Sequence, residues 1–231
     1  MNKINILGVN INNITCSEAI TEVEKWLAEK KEKKYIVTPN PEIVIKAKNN
    51  EHFKKILNDA SMVIPDGIGL IWAGKILGTP FKERVTGIDL MQRLCQMAEN
   101  NNYSVGLLGG KNGVVQKTAD FLIEKFPRLQ ISFAQEEWDN PSSASLLFVA
   151  MGAPKQEEWI TNHLENIPVQ VAMSVGGSFD YLSSSIPRAP KTMQNLGLEW
   201  LWRLIKEPWR FKRQIAIWHF ALLILLKKLG I

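Results

Sequence analysis

A carboxylate follows a short apolar segment, at a position where it could act as a base. Ser61–Ile64 is predicted to form a strand, and Pro65, Asp66 and Gly67 come directly after it. A hydroxyl group that attacks a carbon atom must lose its proton, and a positioned carboxylate can accept that proton. Asp66 is therefore a candidate general base, with the N-cap of the next helix as the alternative role.

Two further polar groups follow other predicted strands or loops. Thr38 closes the apolar segment Tyr35–Thr38, and Asn40 lies two residues further on. Both are expected to face outward beside helix N–H groups, which suits a sugar hydroxyl or a phosphate. A simple strand–turn–helix connection is the alternative. Arg84 lies in a loop where Thr86 can cap the following helix, and it could bind a phosphate or carboxylate. Its alternative is an ordinary exposed arginine.

Glycines mark three more strand ends. Gly109 and Gly110 follow the strand Tyr103–Leu108 and could let backbone N–H groups approach a diphosphate. The turn is neither a dinucleotide fingerprint nor a P-loop, so NAD or ATP binding has little support. Gln156 and Asp180 lie in similar glycine-containing turns, and the amide of Gln156 could recognise a sugar or uracil.

The C-terminal 44 residues are strongly basic. They hold nine Lys/Arg and two Asp/Glu, whereas residues 1–187 hold 19 Lys/Arg and 21 Asp/Glu, and four of the eight tryptophans lie in this tail. Such asymmetry indicates an anionic partner, either nucleic acid or a membrane. Arg203, Arg210 and Arg213 could bind a diphosphate, or could form a solvated face or contact lipid headgroups.

The tail also contains an apolar stretch between basic groups. Ile215–Leu226 is apolar except for His219, and its 12 residues are too few to span a bilayer, which needs about 20. A helix lying in the membrane interface explains the combination, and the tryptophans favour it over a buried core helix. Nucleic-acid binding would instead require basic and aromatic residues across the folded body, so we expect no nucleic-acid partner.

Short apolar strands alternate with longer helices along the chain. This pattern predicts an α/β fold with a largely parallel sheet between helices, and ligands in such sheets collect at the carboxyl ends of the strands. We expect a catalytic α/β domain over residues 1–187 and a basic, Trp-rich helical appendage over 188–231, beginning near Pro187–Pro190. The appendage should contain two helices, Lys191–Lys206 and Trp209–Leu229, and Ile4–Val9 should form the first strand.

Several site types are disfavoured by residue counts. The three histidines show no metal-ligand spacing, so neither a histidine metal site nor a Ser-His-Asp triad is expected. Cys16 and Cys95 lie at apolar helical positions and are expected to be buried reduced thiols. No cofactor is implied.

The motifs taken together resemble the WecG/TagA/CpsF glycosyltransferases over nearly the whole chain. Each motif is weak alone, but eight in the same order are specific. They are TPNPE (38–42), PDG (65–67), RVTG (84–87), GLLGG (106–110), MGAPKQE (151–157), VGGSFD (175–180), RAP (188–190) and GLEWLWRLIKEPWR (197–210).

The resemblance implies transfer of N-acetylmannosamine, or its uronic acid, from UDP to undecaprenyl-diphosphate-linked N-acetylglucosamine, for wall teichoic acid or a related surface glycan. It further implies a compact Rossmann-like glycosyltransferase fold, metal-independent and inverting chemistry, and a peripheral position on the cytoplasmic face of the bacterial membrane. By the same resemblance Asp66 is the base. The residues expected at functional positions with it are Thr38, Asn40, Arg84, Gln156, Asp180, Arg203, Arg210 and Arg213.

One segment departs from the family pattern. Where the family has a longer stretch with another helix, this chain has only residues 134–145. The alternative functions are a membrane-associated nucleotide-binding protein or an oxidoreductase of another class. The sequence leaves the oligomeric state open, with a homo-oligomer among the alternatives.

Overall fold

The chain folds as alternating strands and helices. The structure, a computed structural model, describes residues 2–139 and 143–230, with only the backbone described for Arg210 and Lys212. The strands are β1 Lys3–Ile6, β2 Val9–Asn12, β3 Lys34–Val37, β4 Met62–Val63, β5 Ser104–Gly109, β6 Gln130–Gln135, β7 Ala144–Ala150 and β8 Val169–Ser174. The helices are α1 Cys16–Glu29, α2 Pro41–Lys48, α3 Glu51–Asp59, α4 Ile68–Ile76, α5 Gly87–Asn100, α6 Val114–Lys125, α7 Lys155–His163, α8 Ser178–Leu182, α9 Lys191–Asn195, α10 Glu199–Lys206 and α11 Phe211–Leu229.

Six strands form one parallel sheet in the order β4-β3-β8-β7-β5-β6. Alternate side chains of each strand enter the core on opposite faces of the sheet. One face is covered by α1, α5, α6 and α8, and the other by α2, α3, α4, α7 and α11. Because the strands are buried on both faces, they are almost continuously apolar. The predicted α/β class with a parallel sheet is confirmed.

The N-terminal segment is a hairpin, so the single strand predicted over Ile4–Val9 is wrong. Strands β1 and β2 pair antiparallel around Leu7 and Gly8, whose φ angles are 51° and 94°. Positive φ at both central residues is typical of a two-residue hairpin turn. Asn12 then accepts a hydrogen bond from the Val63 N–H at 2.8 Å, which attaches the hairpin to the edge strand β4.

The C-terminal segment begins with two short helices where one was predicted over Lys191–Lys206. Gly197, with φ of 73°, separates α9 from α10, because a left-handed residue cannot continue a helix. Helix α11 packs on α2 and α4. Its Phe220 and Ile224 are buried in the same apolar cluster as the β1–β2 hairpin. The appendage is therefore docked on the α/β body.

The connection between β6 and β7 is short and crosses over β5. Of this connection, residues 140–142 lie outside the described part of the chain. Trp138 packs edge-to-face on Phe133, with ring centroids 5.9 Å apart, and lies 5.4 Å from the ring of Trp159 on α7. An aromatic side chain thus covers the sheet in the region where the resemblance implied an additional helix.

Candidate active site

The carboxyl ends of four adjacent strands, β4, β3, β8 and β7, meet at one edge of the sheet. The loops that follow these four strands contain Asp66, Thr38, Gly176 and Gly152, respectively, and they carry the predicted polar residues. A parallel sheet places such loops side by side, which is why ligand sites form there. The structure therefore brings most of the predicted residues to one edge.

Asp66 is held by backbone groups from two neighbouring loops. Its N–H donates to the Pro39 carbonyl oxygen at 3.1 Å, and its carboxylate accepts a hydrogen bond from the Gly87 N–H. Helix α4 begins at Ile68 with Gly67 as its N-cap residue and no side-chain cap, so Asp66 does not serve as its N-cap. Burial, together with the negative charge of Glu199, raises the pKa of Asp66 to about 7, although Gly87 and Arg84 oppose the shift. A carboxyl group with this pKa can take up a proton near neutral pH.

Thr38 is buried, so the prediction that it faces outward is wrong. Its hydroxyl donates to the Ser174 carbonyl oxygen at 3.1 Å and so joins the ends of β3 and β8. Gly87 lies directly against it, since a Cβ atom at Gly87 would be 3.3 Å from Thr38 Oγ1. Thr38 and Asp66 therefore both lie next to Gly87.

Asn40 caps α2, as the structural alternative proposed. Its Oδ1 accepts a hydrogen bond from the Ile43 N–H at 3.1 Å. The side chain is only partly buried, and a Cβ atom at Gly67 would lie 3.9 Å from its Cβ atom. Capping therefore fixes Asn40 beside the loop that carries Asp66.

Arg84 points toward the C-terminal segment. Its Nη2 donates to the Gln194 carbonyl oxygen at 2.9 Å and lies 3.8 Å from a carboxylate oxygen of Glu199. The side chain is largely buried, so it is not the ordinary exposed arginine of the structural alternative. Thr86 caps α5 as predicted, by accepting from the Asp89 N–H.

Gln156 connects the loops that follow β7 and β8. Its Oε1 accepts from the N–H groups of Gly152 and Gly176, both at 3.1 Å, and its Nε2 donates to Glu157 at 2.7 Å. Gln156 is 2% exposed and Glu157 is 1% exposed. Burial raises the pKa of Glu157. The Gln156 amide was predicted to recognise a ligand. In the structure its hydrogen bonds hold the two glycine loops in place.

Gly109 and Gly110 allow two strand ends to approach closely. A Cβ atom at Gly109 would lie 2.6 Å from the Ala150 carbonyl oxygen, which also accepts from the Gly110 N–H at 3.1 Å. The N-terminus of α6 is occupied as well, because Gly113 N–H donates to the Glu136 carboxylate at 2.6 Å. Packing of the backbone thus accounts for these glycines without a diphosphate.

Asp180 and Arg203 form an ion pair between the body and α10. Arg203 Nη2 lies 2.5 Å from Asp180 Oδ2, and its Nε donates to Glu207 at 2.6 Å. The guanidinium lies against Gly177, so a side chain at that position would require Arg203 to move, and it is 5.0 Å from the centre of the Tyr181 ring. Arg203 thus contacts the loop after β8.

Arg213 lies on the α2 side of the site. It donates to Glu42 at 2.8 Å, and Lys46 binds the same carboxylate at 2.9 Å. The side chain of Arg210 lies outside the part of the chain that the structure describes.

Comparison with known sequences identifies the family of this chain. The sequence model of the Glycosyl transferase WecG/TagA/CpsF family matches residues 4–231, a range that includes every candidate residue. The chain belongs to the WecG/TagA/CpsF glycosyltransferase family. The resemblance seen in the motifs is confirmed, and the oxidoreductase alternative is not favoured.

Two relatives carry the name N-acetylglucosaminyldiphosphoundecaprenol N-acetyl-beta-D-mannosaminyltransferase. The protein of Bacillus subtilis (strain 168) is 30% identical, over 96% of this chain and 89% of its own length. The protein of Staphylococcus aureus (strain MW2) is 32% identical, over 93% of this chain and 89% of its own length. The similarity therefore extends through both the body and the C-terminal segment of this glycosyltransferase.

Three residues at the site of this glycosyltransferase were not among the predicted site residues. Asp89, Arg188 and Glu199 form an ion-pair network next to Arg84. Arg188 and Glu199 lie inside the matching motifs, and Asp89 lies three residues after the cap Thr86, so a sequence signal existed for each. Within residues 2–139 and 143–230 there is no cluster of three or more metal-ligating side chains.

The C-terminal helix presents an apolar stripe on its outer side. The exposed large apolar residues of α11 recur at spacings of three and four, and they are Phe211, Ile215, Trp218, Leu222, Leu225 and Leu229. On neighbouring α4, Trp72 is 59% exposed. Among the helices that the structure describes, none combines the length and hydropathy needed to cross a membrane.

Proposed function

We propose that this glycosyltransferase moves N-acetylmannosamine, or its uronic acid, from UDP to the N-acetylglucosamine of an undecaprenyl-diphosphate-linked acceptor. The product would enter wall teichoic acid or a related surface glycan. The names of the two relatives support the acceptor and the sugar. The observation that carries the mechanism is Asp66, a carboxyl group with a pKa of about 7 at the carboxyl edge of the sheet.

Asp66 acts as the general base in this proposal. It accepts the proton of the acceptor hydroxyl while that oxygen forms a bond to the anomeric carbon of the donor. The bond from this carbon to UDP breaks, and the electron pair leaves with UDP. One base and one displacement are sufficient for this step, and a single displacement inverts the anomeric centre.

Arginines stabilise the departing UDP without a metal in this proposal. Arg84 and Arg203 flank the site, with Arg210 and Arg213 next along the tail. Arg203 and Arg213 bind carboxylates of Asp180 and Glu42 in the structure. A diphosphate can replace these carboxylates, because guanidinium groups bind carboxylates and phosphates with similar geometry. Positive groups fixed beforehand lower the cost of the charge that develops on the leaving group.

The C-terminal segment, residues 188–231, places the site at the membrane in this proposal, and residues 1–187 supply the catalytic body. The stripe of α11 lies opposite its buried side, so the helix contacts the body and an apolar phase at the same time. Trp218 is 75% exposed and Trp209 is 73% exposed. Tryptophan favours the headgroup layer, and the exposed Lys227 and Lys228 suit anionic lipids. The protein is then peripheral, on the cytoplasmic face of the bacterial membrane.

Release of UDP tests the reaction. We expect UDP-N-acetylmannosamine to release UDP only when N-acetylglucosaminyl-diphosphoundecaprenol is present. Asp66→Asn should reduce this release by a factor on the order of a hundred or more, the usual contribution of a general base. Asp120→Asn, which removes an exposed carboxylate from α6, is the matched control. No acceptor-dependent release by the unaltered chain would refute the proposed function, and full activity of Asp66→Asn would remove Asp66 as the base.

Vesicle binding tests the membrane surface. We expect the chain to sediment with vesicles that contain anionic phosphatidylglycerol, and Trp218→Ser to weaken that binding. Trp26→Phe is the control, because Trp26 lies on α1 and donates to Glu22 at 2.9 Å, remote from the stripe. Equal binding of the Trp218 variant and the unaltered chain would contradict the assignment.

A further inference from the structure

Arg188 makes three hydrogen bonds, of which two join the C-terminal segment to the body and the third lies within that segment. Its Nη1 and Nη2 donate to the two carboxylate oxygens of Asp89 on α5, at 2.8 and 3.1 Å. Its Nε donates to Glu199 on α10 at 3.1 Å. A bidentate arginine–carboxylate pair fixes orientation as well as distance. Arg188 therefore sets where α10 begins relative to α5.

The same contacts extend to the hydrogen bond that holds Asp66. Asp89 also accepts from the Thr86 hydroxyl at 2.6 Å, and its N–H donates to that hydroxyl, which closes the N-terminal cap of α5. Gly87 is the first residue of this helix, and its N–H donates to the Asp66 carboxylate. An anchored Asp89 thus keeps the Gly87 N–H pointed at Asp66.

The tail residue Glu199 brings a negative charge into the surroundings of Asp66. Glu199 is held by Arg188 and lies 3.8 Å from Arg84, whose Nη2 also binds the tail carbonyl of Gln194. The charged groups that act on Asp66 are Glu199 from α10, Asp89 from α5 and Arg84 from the loop before α5. One of these three groups therefore arrives only when the tail is docked.

We propose that Arg188 is a latch that docks the C-terminal segment over the catalytic carboxylate, and that Glu199, carried by this latch, is a positioning residue for Asp66. The second half of this inference rests on the proposed function, since it concerns the base of the transfer reaction. The first half does not depend on any substrate. Docking of the tail then completes the environment of the base, and an undocked tail leaves Asp66 less protected and its proton affinity lower.

Hydrogen exchange of the full chain tests the latch without substrate. In Arg188→Ala, the amides of α10 should exchange about tenfold faster or more, since charge-assisted hydrogen bonds are lost, while those of α6 stay unchanged. Arg188→Lys should recover part of the protection. Lys191→Ala removes an exposed tail cation and is the matched control. Unchanged exchange of α10 in Arg188→Ala would overturn the latch, and equal acceleration in Lys191→Ala would show that tail charge alone is responsible.

The pH profile of kcat/KM tests Glu199. In Glu199→Gln the amide oxygen still accepts from Arg188, so the exchange of α10 should not change. Removal of the negative charge lowers the pKa of Asp66, and the acidic limb of the profile should move down by roughly half a pH unit for charges several ångströms apart near solvent. An unmoved limb with a docked tail would overturn the role of Glu199. Absence of turnover in the unaltered chain would refute the proposed function while the exchange experiment still decides on the latch.

Discussion

Replacement of Asp66 by asparagine is expected to stabilise the folded chain while it abolishes transfer. The carboxyl group is buried near Glu199 and has a pKa of about 7 rather than its ordinary 3.8. The folded state therefore favours the protonated, neutral form. Asparagine is neutral at every pH and its oxygen can still accept from the Gly87 N–H, so the variant avoids the cost of an ionised carboxylate at this position.

The magnitude follows from the pKa difference and has a definite sign. Below about pH 4 the carboxyl group is protonated in the folded and the unfolded chain, so it makes no contribution. Between about pH 4 and pH 7 it ionises only in the unfolded chain, and the free energy of unfolding falls as the pH rises. The difference between 3.8 and about 7 corresponds to about 4 kcal/mol above pH 7, at ~1.4 kcal/mol per pKa unit. Because Asp66 keeps some exposure, we expect roughly 2–4 kcal/mol.

Urea unfolding at pH 5, 6, 7 and 8 measures this effect. The stability advantage of Asp66→Asn should be about a third of its full size at pH 5 and should grow until about pH 7. Asp120→Asn on the surface of α6 is the control and should change the free energy of unfolding little at any of these pH values. An advantage that does not depend on pH, or a variant less stable than the unaltered chain at pH 8, would refute the assigned environment of Asp66.

Three further substitutions test the supports of the site, each by denaturant unfolding. Gln156→Ala should lower the free energy of unfolding by about 2–4 kcal/mol, because two backbone N–H groups and Glu157 lose their partner; a loss below about 1 kcal/mol would contradict the role of this amide. Gly109→Ala should cost more than about 2 kcal/mol, since its Cβ would strike a carbonyl oxygen, whereas Gly113→Ala, with open space around it, should cost only the ~1 kcal/mol of its left-handed backbone. Trp138→Ala should cost about 1–3 kcal/mol by uncovering the sheet beside β6, and an unchanged midpoint would show that the short connection needs no aromatic cover.

Much of the fold could be predicted because local signals agreed. Strands buried on both faces are short apolar runs, and the predicted cap Thr86 marks the start of α5 as the structure has it. The hairpin at Leu7–Gly8 was missed because most residues of Ile4–Val9 are apolar and resemble one strand. Only the backbone angles reveal the turn. The break at Gly197 was missed because the apolar periodicity continues through it.

The placement of the site residues could be predicted only in part. Thr38, Asn40 and Asp66 follow strands, and a parallel sheet brings strand ends together whatever the detailed packing. Which atoms remain available to a ligand depends on contacts between distant parts of the chain, and no periodicity encodes these. The amide of Gln156 is an example, since its oxygen accepts hydrogen bonds from the N–H groups of glycines that lie 4 and 20 residues away.

The charge asymmetry of the chain also attaches the basic tail to the acidic body. Three tail arginines each bind a carboxylate of the body: Arg188 binds Asp89, Arg203 binds Asp180 and Arg213 binds Glu42. The basic tail and the slightly acidic body are therefore complementary halves of one interface. Lys227 and Lys228 stay exposed for an external anion such as a lipid headgroup.

This complementarity couples the substrate to the tail. A diphosphate that binds Arg203 or Arg213 must displace a carboxylate that helps to dock the tail, whereas the pair of Arg188 and Asp89 lies beside the base and need not be broken. Docking through Arg188 can therefore persist while the other arginines exchange partners. For this reason we expect loss of Arg188 to reduce kcat, and loss of Arg213 to act chiefly on KM for the donor. Steady-state kinetics of the two alanine variants separates these effects, and the reverse pattern would contradict the division of roles.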